Sequence, residues 1–217
     1  LGHHAAELTP HPDRLSEHVE RLAHHALRGE IWDKAVSYLR QAGVKAAARS
    51  AHRVAVRYFE QALGTLAHLP EGGKRSGQAI DLRFDLRNSH FPLGEHGRIL
   101  EQLQEAELLA EALDDQRRLG WVSCYMTLSL RMMGDHRRAI DSGRRALSLA
   151  TALGDFALQL ETSCYLGQAF YLLGDYPQAM AGLGRAVASL EGPLIHELFG
   201  LPALPSVFSR TWLAGCH

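Results

Sequence analysis

The chain has 217 residues and a formal charge of −1 at pH 7, and Ala (29) with Leu (35) supplies 64 of them. Val, Ile and Thr together number only 19, too few strand formers for a β-sandwich or a parallel sheet, so the composition predicts an all-α chain. The near-neutral charge excludes a strong general affinity for nucleic acid or an anionic membrane.

Three cysteines, Cys124, Cys164 and Cys216, are too few and too widely spaced for a disulfide framework or a zinc site, which fits a reducing, cytoplasmic setting. Leu1-Gly2-His3-His4 has neither the basic nor the apolar region of a signal peptide. The longest uncharged apolar stretch, Leu119–Leu130, is shorter than the ~20 residues of a membrane span. The chain begins without Met and stops inside helix-like sequence, so it reads as a piece of something longer.

Taken in order, residues 1–12 read as a tail and residues 13–69 as a layer of three helices. Within that layer Ala35, Leu39 and Ala42 recur as Ala55, Phe59 and Ala62, twenty residues on. A loop is expected over Pro70–Gly77, with further loops near Gly29, Ser50, Gly94, Asp115, Gly134, Gly154 and Gly174. Residues 77–190 read as helix pairs. The Pro/Gly-containing segment 191–205 breaks the pattern, and 206–217 starts a further first helix.

The helix pairs repeat. Residues 103–142 laid over 143–182 without a gap give twelve identities in forty, among them Ser123-Cys124-Tyr125 over Ser163-Cys164-Tyr165 and Gly134-Asp135 over Gly174-Asp175. Leu160, Cys164, Gly167 and Tyr171 mark one helical face. Gly174 suits the left-handed position that ends that helix, Asp175 caps the next, and Pro177 sits harmlessly in its first turn.

These residues resemble tetratricopeptide repeats. Leu166-Gly167, Phe170, Gly174-Asp175-Tyr176, Ala179, Leu183 and Ala186 match that consensus, whereas Gly143 stands where the family prefers a large residue. The period is 40 rather than the usual 34. The resemblance implies an α-solenoid of antiparallel helix pairs, about ten helices in a tetratricopeptide-like right-handed superhelix. A narrower resemblance, carried by residues 21–30, Trp32-Asp33-Lys34-Ala35, 38–43 and Tyr58-Phe59-Glu60-Gln61-Ala62-Leu63, is to the C-terminal helical region of large bacterial signal-transduction ATPases, some with a class III adenylyl or guanylyl cyclase domain. That resemblance implies a regulatory or sensor arm attached to an ATPase or cyclase domain.

No catalytic constellation, metal ligand set or cofactor motif emerges. His18 and His25, one face of a helix, lack the His-Glu-x-x-His spacing and have Arg21 between them. Gly72-Gly73-Lys74-Arg75-Ser76 lacks the first glycine and preceding strand of a phosphate loop and reads as a helix–helix loop. Cys124 and Cys164, mid-helix, have no cation to lower their pKa. Arg137, Asp141 and Arg145 read as an ion-paired face of one helix.

The tetratricopeptide geometry places first helices along a concave groove. It assigns Trp121, Tyr125, Leu128 and Arg131 from one repeat, and Tyr165, Gln168 and Tyr171 from the next, to binding a protein or peptide. Phe208, Trp212 and Leu213 at the uncapped C-terminal end are expected to promote self-association. The sequence thus predicts a non-catalytic interaction and regulatory scaffold that is no membrane or nucleic-acid binder. A free-standing adaptor and a small-molecule or metal-binding helical domain are the alternatives.

Overall fold

Most of the short connections between helices share one backbone path, and that path makes successive helices antiparallel. A computed structural model describes residues 18–197 and 204–216. Among them are ten α-helices and no strand: α1 (Val19–Arg28), α2 (Trp32–Ala48), α3 (His52–Thr65), α4 (Gly73–His90), α5 (His96–Ala112), α6 (Gln116–Met132), α7 (His136–Leu153), α8 (Phe156–Leu173), α9 (Tyr176–Ala188) and α10 (Pro205–Ala214). They fall into two compact all-α units divided at Leu93/Gly94, each a solenoid-like stack of antiparallel helices. The 1–12 tail and His217 lie outside the described residues.

In the second unit each of the links from α5 to α9 has a residue with positive φ followed by an aspartate. Gly134, Gly154 and Gly174 have φ of 84°, 64° and 84°. The next backbone N–H bonds back five residues: Asp135 to Leu130 O, Asp155 to Ala150 O and Asp175 to Phe170 O, at 2.9–3.0 Å. This is the hydrogen bond that closes a Schellman helix end. The same aspartate then caps the next helix. Asp115, Asp135, Asp155 and Asp175, twenty residues apart, accept from the backbone N–H of Arg118, Arg138, Leu158 and Gln178 at 3.0–3.3 Å. One residue therefore ends a helix and starts another, which leaves a tight reversal and antiparallel neighbours.

The first unit follows the same path with other residues. Glu30 and Ser50 hold φ of 53° and 58°. Ile31 N–H bonds to Ala26 O and Ala51 N–H to Ala46 O, both at 2.9 Å. The left-handed residue of the first link is thus Glu30, next to the glycine at which the sequence places the loop. The loop expected over 70–77 is shorter than the sequence indicates: α4 begins at Gly73, after Gly72 turns at φ 150°. Lys74 and Arg75 lie in its first turn, where Lys74 pairs with Asp33 at 3.4 Å and Arg75 donates to Leu69 O at 3.4 Å. α4 packs on α3.

The pairs close on small residues. A Cβ at Gly43 would collide with the buried Phe59 ring, and one at Gly167 would lie 2.6 Å from Leu183 Cγ. Both pairs are sixteen residues apart, linking a first helix to its second. Gly143, the departure from the consensus, is explained by its neighbours: a Cβ there would lie 2.9 Å from Leu166 and 3.2 Å from Thr127, whose side chains fill the space. Close packing requires a large residue on only one side of each contact.

The face expected from Arg137, Asp141 and Arg145 forms otherwise. Arg145 reaches instead to α5, where it meets Glu107 at 2.5 Å and Glu111 at 2.8 Å. Two carboxylates held by the neighbouring helix attract the guanidinium more than one exposed aspartate on its own helix.

Candidate functional site

α6 and α8, the first helices of successive repeats, pack side by side, so residues at equivalent positions form rows. Trp121 and Tyr125 make a tilted ring pair with centroids 5.5 Å apart. Trp121 and Tyr165 cover the same buried cluster of Cys124, Ala146, Ala150 and Leu158. Both tyrosines and the tryptophan are half-buried, with the apolar bodies of Trp121 and Tyr165 against the core.

Arg131 closes this group. Burial pushes its guanidinium down from its ordinary value, while the Tyr165 phenol acts the other way; it stays charged. Its Nε has no hydrogen-bond partner, and its Nη2 lies 3.4 Å from Met132 Sδ. The Tyr165 hydroxyl donates to Glu161 Oε1 at 2.6 Å. Glu161, buried on α8, is a part of this group that the sequence reading missed, because it occupies the repeat position of Trp121 and no motif marks it.

The other expected residues lie elsewhere. Leu128 is buried, and Gln168 is fully buried with neither end of its amide hydrogen-bonded. Tyr171 belongs to a second aromatic group, edge-on to Tyr176 and to Trp212 of α10, both at 5.4 Å. Phe208 packs against Leu160, Cys164, Ala186 and Leu190. α10 therefore turns Phe208 and Trp212 toward α8 and leaves Val207 as its well-exposed large apolar side chain.

Cys164 is poorly suited to nucleophilic chemistry. Cys164 shares a 2.9 Å hydrogen bond with Ser209, and burial pushes its thiol up to about 11, so it carries almost no thiolate at neutral pH. Among the described residues no three His, Cys, Asp or Glu side chains converge as a metal site would require. No described helix is long and apolar enough to cross a membrane.

No protein-family model and no curated protein matches the chain. Solved structures do. BtubC from P. vanneervenii superposes with a TM-score of 0.70 at 15% identity, covering 94% of this chain and 87% of that one. A Rap protein solved with Competence and Sporulation Factor gives 0.65 at 15% identity, over 81% of this chain. A signal-transduction ATPase with a tetratricopeptide repeat sensor from Pyrococcus horikoshii gives 0.61 at 13% identity, over 94% of this chain. The fold is tetratricopeptide-like. The chain spans 47% of the Rap protein and 32% of the ATPase, so these likenesses carry the tetratricopeptide-like architecture and no further property.

Proposed function

We propose that this chain is a non-catalytic, protein-binding helical-repeat module, and that it takes an extended peptide or protein segment along α6 and α8. The observation that carries the reading is the group of half-buried Trp121, Tyr125 and Tyr165 beside the partly desolvated Arg131. Rigid aromatic surface next to a poorly hydrated guanidinium is the composition of interaction hot spots. The Rap protein solved with its factor and the ATPase with its repeat sensor support the same reading by likeness of fold.

The module serves, on this reading, as the sensor arm of a larger cytoplasmic signalling protein, an ATPase or a nucleotide cyclase. Ligand binding would change the packing between first helices. That packing buries polar groups such as Gln168 and Thr162 without hydrogen bonds, which lowers the cost of rearranging it. Self-association through the α10 end belongs to the same proposal, with Val207 and the edges of Trp212 and Leu213 as the contact.

The test is a selection of displayed random peptides against the chain, followed by fluorescence anisotropy on the enriched peptides. Tyr125→Ala and Tyr165→Ala are expected to weaken binding at least about tenfold each, in line with aromatic hot spots. Unchanged affinity in both variants, with unchanged helicity, would reject the groove.

A further inference from the structure

The repeat supplies its own control for a second site, on a different set of helices from the groove. Arg145 of α7 is neutralised by Glu107 and Glu111 of α5. Forty residues on, Arg185 of α9 holds the position of Arg145, but Leu147 and Thr151 of α7 stand where the two glutamates stood. The side chain of Arg185 has no hydrogen bond or ion pair among the described residues. Two further exchanges open the space beside it: Gly167 replaces Thr127 and Gly182 replaces Ser142.

A cavity of about 180 Å³ results, lined by Arg144, Leu147, Ser163, Gln178, Gly182 and Arg185 among others. Arg144 also lines it, its guanidinium 5.7 Å from the centre of the Phe170 ring and without an acidic partner among the described residues. Two unneutralised guanidinium groups thus border an apolar-floored pocket at the place where, one repeat earlier, carboxylates are bound.

We infer that this pocket binds an acidic side chain of a partner polypeptide. The preceding repeat fixes the chemistry, since Arg145 selects carboxylates with the same backbone framework. The size fixes the source: the cavity is smaller than the roughly 300–1,000 Å³ of small-molecule sites and fits one side chain with an apolar neighbour on Leu147 and Phe170. The inference does not depend on the groove.

The probe is a fluorescein-labelled, end-capped Leu-Glu-Glu-Leu peptide, with its Leu-Gln-Gln-Leu counterpart, titrated by anisotropy into the full chain at low salt. The glutamate peptide is expected to bind at least about tenfold more tightly, as charge-assisted hydrogen bonds to arginine require. Arg185→Gln and Arg144→Gln, both on the surface, each reduce that affinity about tenfold, whereas Arg145→Gln leaves it unchanged. Leu147→Glu restores the missing carboxylate within the chain, so it abolishes peptide binding and raises the melting temperature. No binding by the glutamate peptide, equal affinity for both peptides, or unchanged affinity in Arg185→Gln overturns the inference. So does displacement by glutarate or inorganic phosphate at concentrations as low as the peptide's, which would mark a small-anion site.

Discussion

The links α1–α2 and α2–α3 follow the same backbone path as α6–α7, α7–α8 and α8–α9, but with none of the same residues. In the second unit, glycine takes the left-handed position and aspartate caps the next helix. In the first, Glu30 and Ser50 take the left-handed position, and Ile31 and Ala51 precede helices that have no side-chain cap. The α5–α6 link combines the two, with Asp114 left-handed at φ 51° and Asp115 capping. Loop chemistry therefore supports the reversal in the second unit without being required for it. In the first unit the helix packing, with Phe59 against Gly43 and Ala35, Leu39, Ala55 and Ala62 buried, holds a turn that its own residues disfavour.

The comparison is broken first at the packing. Gly43→Ala should lower stability by about 2 kcal/mol despite alanine's better helix propensity, because the Phe59 ring is enclosed. Gly167→Ala should cost about half as much, since Leu183 can change rotamer. Urea unfolding of both variants decides this. An equal or reversed order would mean that the first unit does not depend more heavily on packing.

The capping exchange comes next. Asp155→Ala removes a cap and is expected to lose about 1 kcal/mol, whereas Ala51→Asp installs one and should gain a similar amount. A gain absent at Ala51 would show that α3 starts with a backbone unable to use a cap. Smaller again, Ser50→Gly should stabilise, and Gly154→Ala destabilise, by roughly 0.5–1 kcal/mol, from the left-handed conformation that both positions adopt. Matched thermal melts of the pair check the opposite signs.

The smallest effect is in pH dependence, where the units differ in sign. Burial pushes the Asp85 carboxyl up, outweighing the Arg40 guanidinium 2.6 Å away. Burial also pushes up Asp115, but the backbone N–H and guanidinium of Arg118 together hold its carboxyl below the usual range. The stability linked to Asp85 is therefore complete below the unfolded value of ~3.9 and lost as pH rises through the raised folded value. That linked to Asp115 is present above ~3.9 and lost as pH falls through the lowered one. Stability measured from pH 3 to 6 should give a wild-type-minus-variant difference that falls with pH for Asp85→Asn and rises for Asp115→Asn. Slopes of one sign would remove this distinction.

The repeat was legible because Gly-Asp and Ser-Cys-Tyr occur at one offset, and local chemistry reports local structure. Gly134 and Gly174 were readable as helix ends, and Asp175 as a cap, from the residues alone. The candidate site was legible only in part. Trp121 and Tyr165 share one cluster and Tyr125 lies against Trp121, yet Gln168, expected in the same row, is enclosed, because burial depends on which helix lies against it. Glu161 was invisible because a carboxylate on a helix resembles surface until a tyrosine is seen to bond to it.

By itself, the sequence determined the helices, their period and the links, all governed by backbone preferences within a few residues. Only the tertiary structure decided what each large side chain meets. Leu166 fills the space left by Gly143, Arg145 leaves its own helix for Glu107 and Glu111, and Arg185 in the same position finds Leu147. Such contacts lie 23 to 38 residues away along the chain, where identity at one position sets no preference for its partner until the helices are packed.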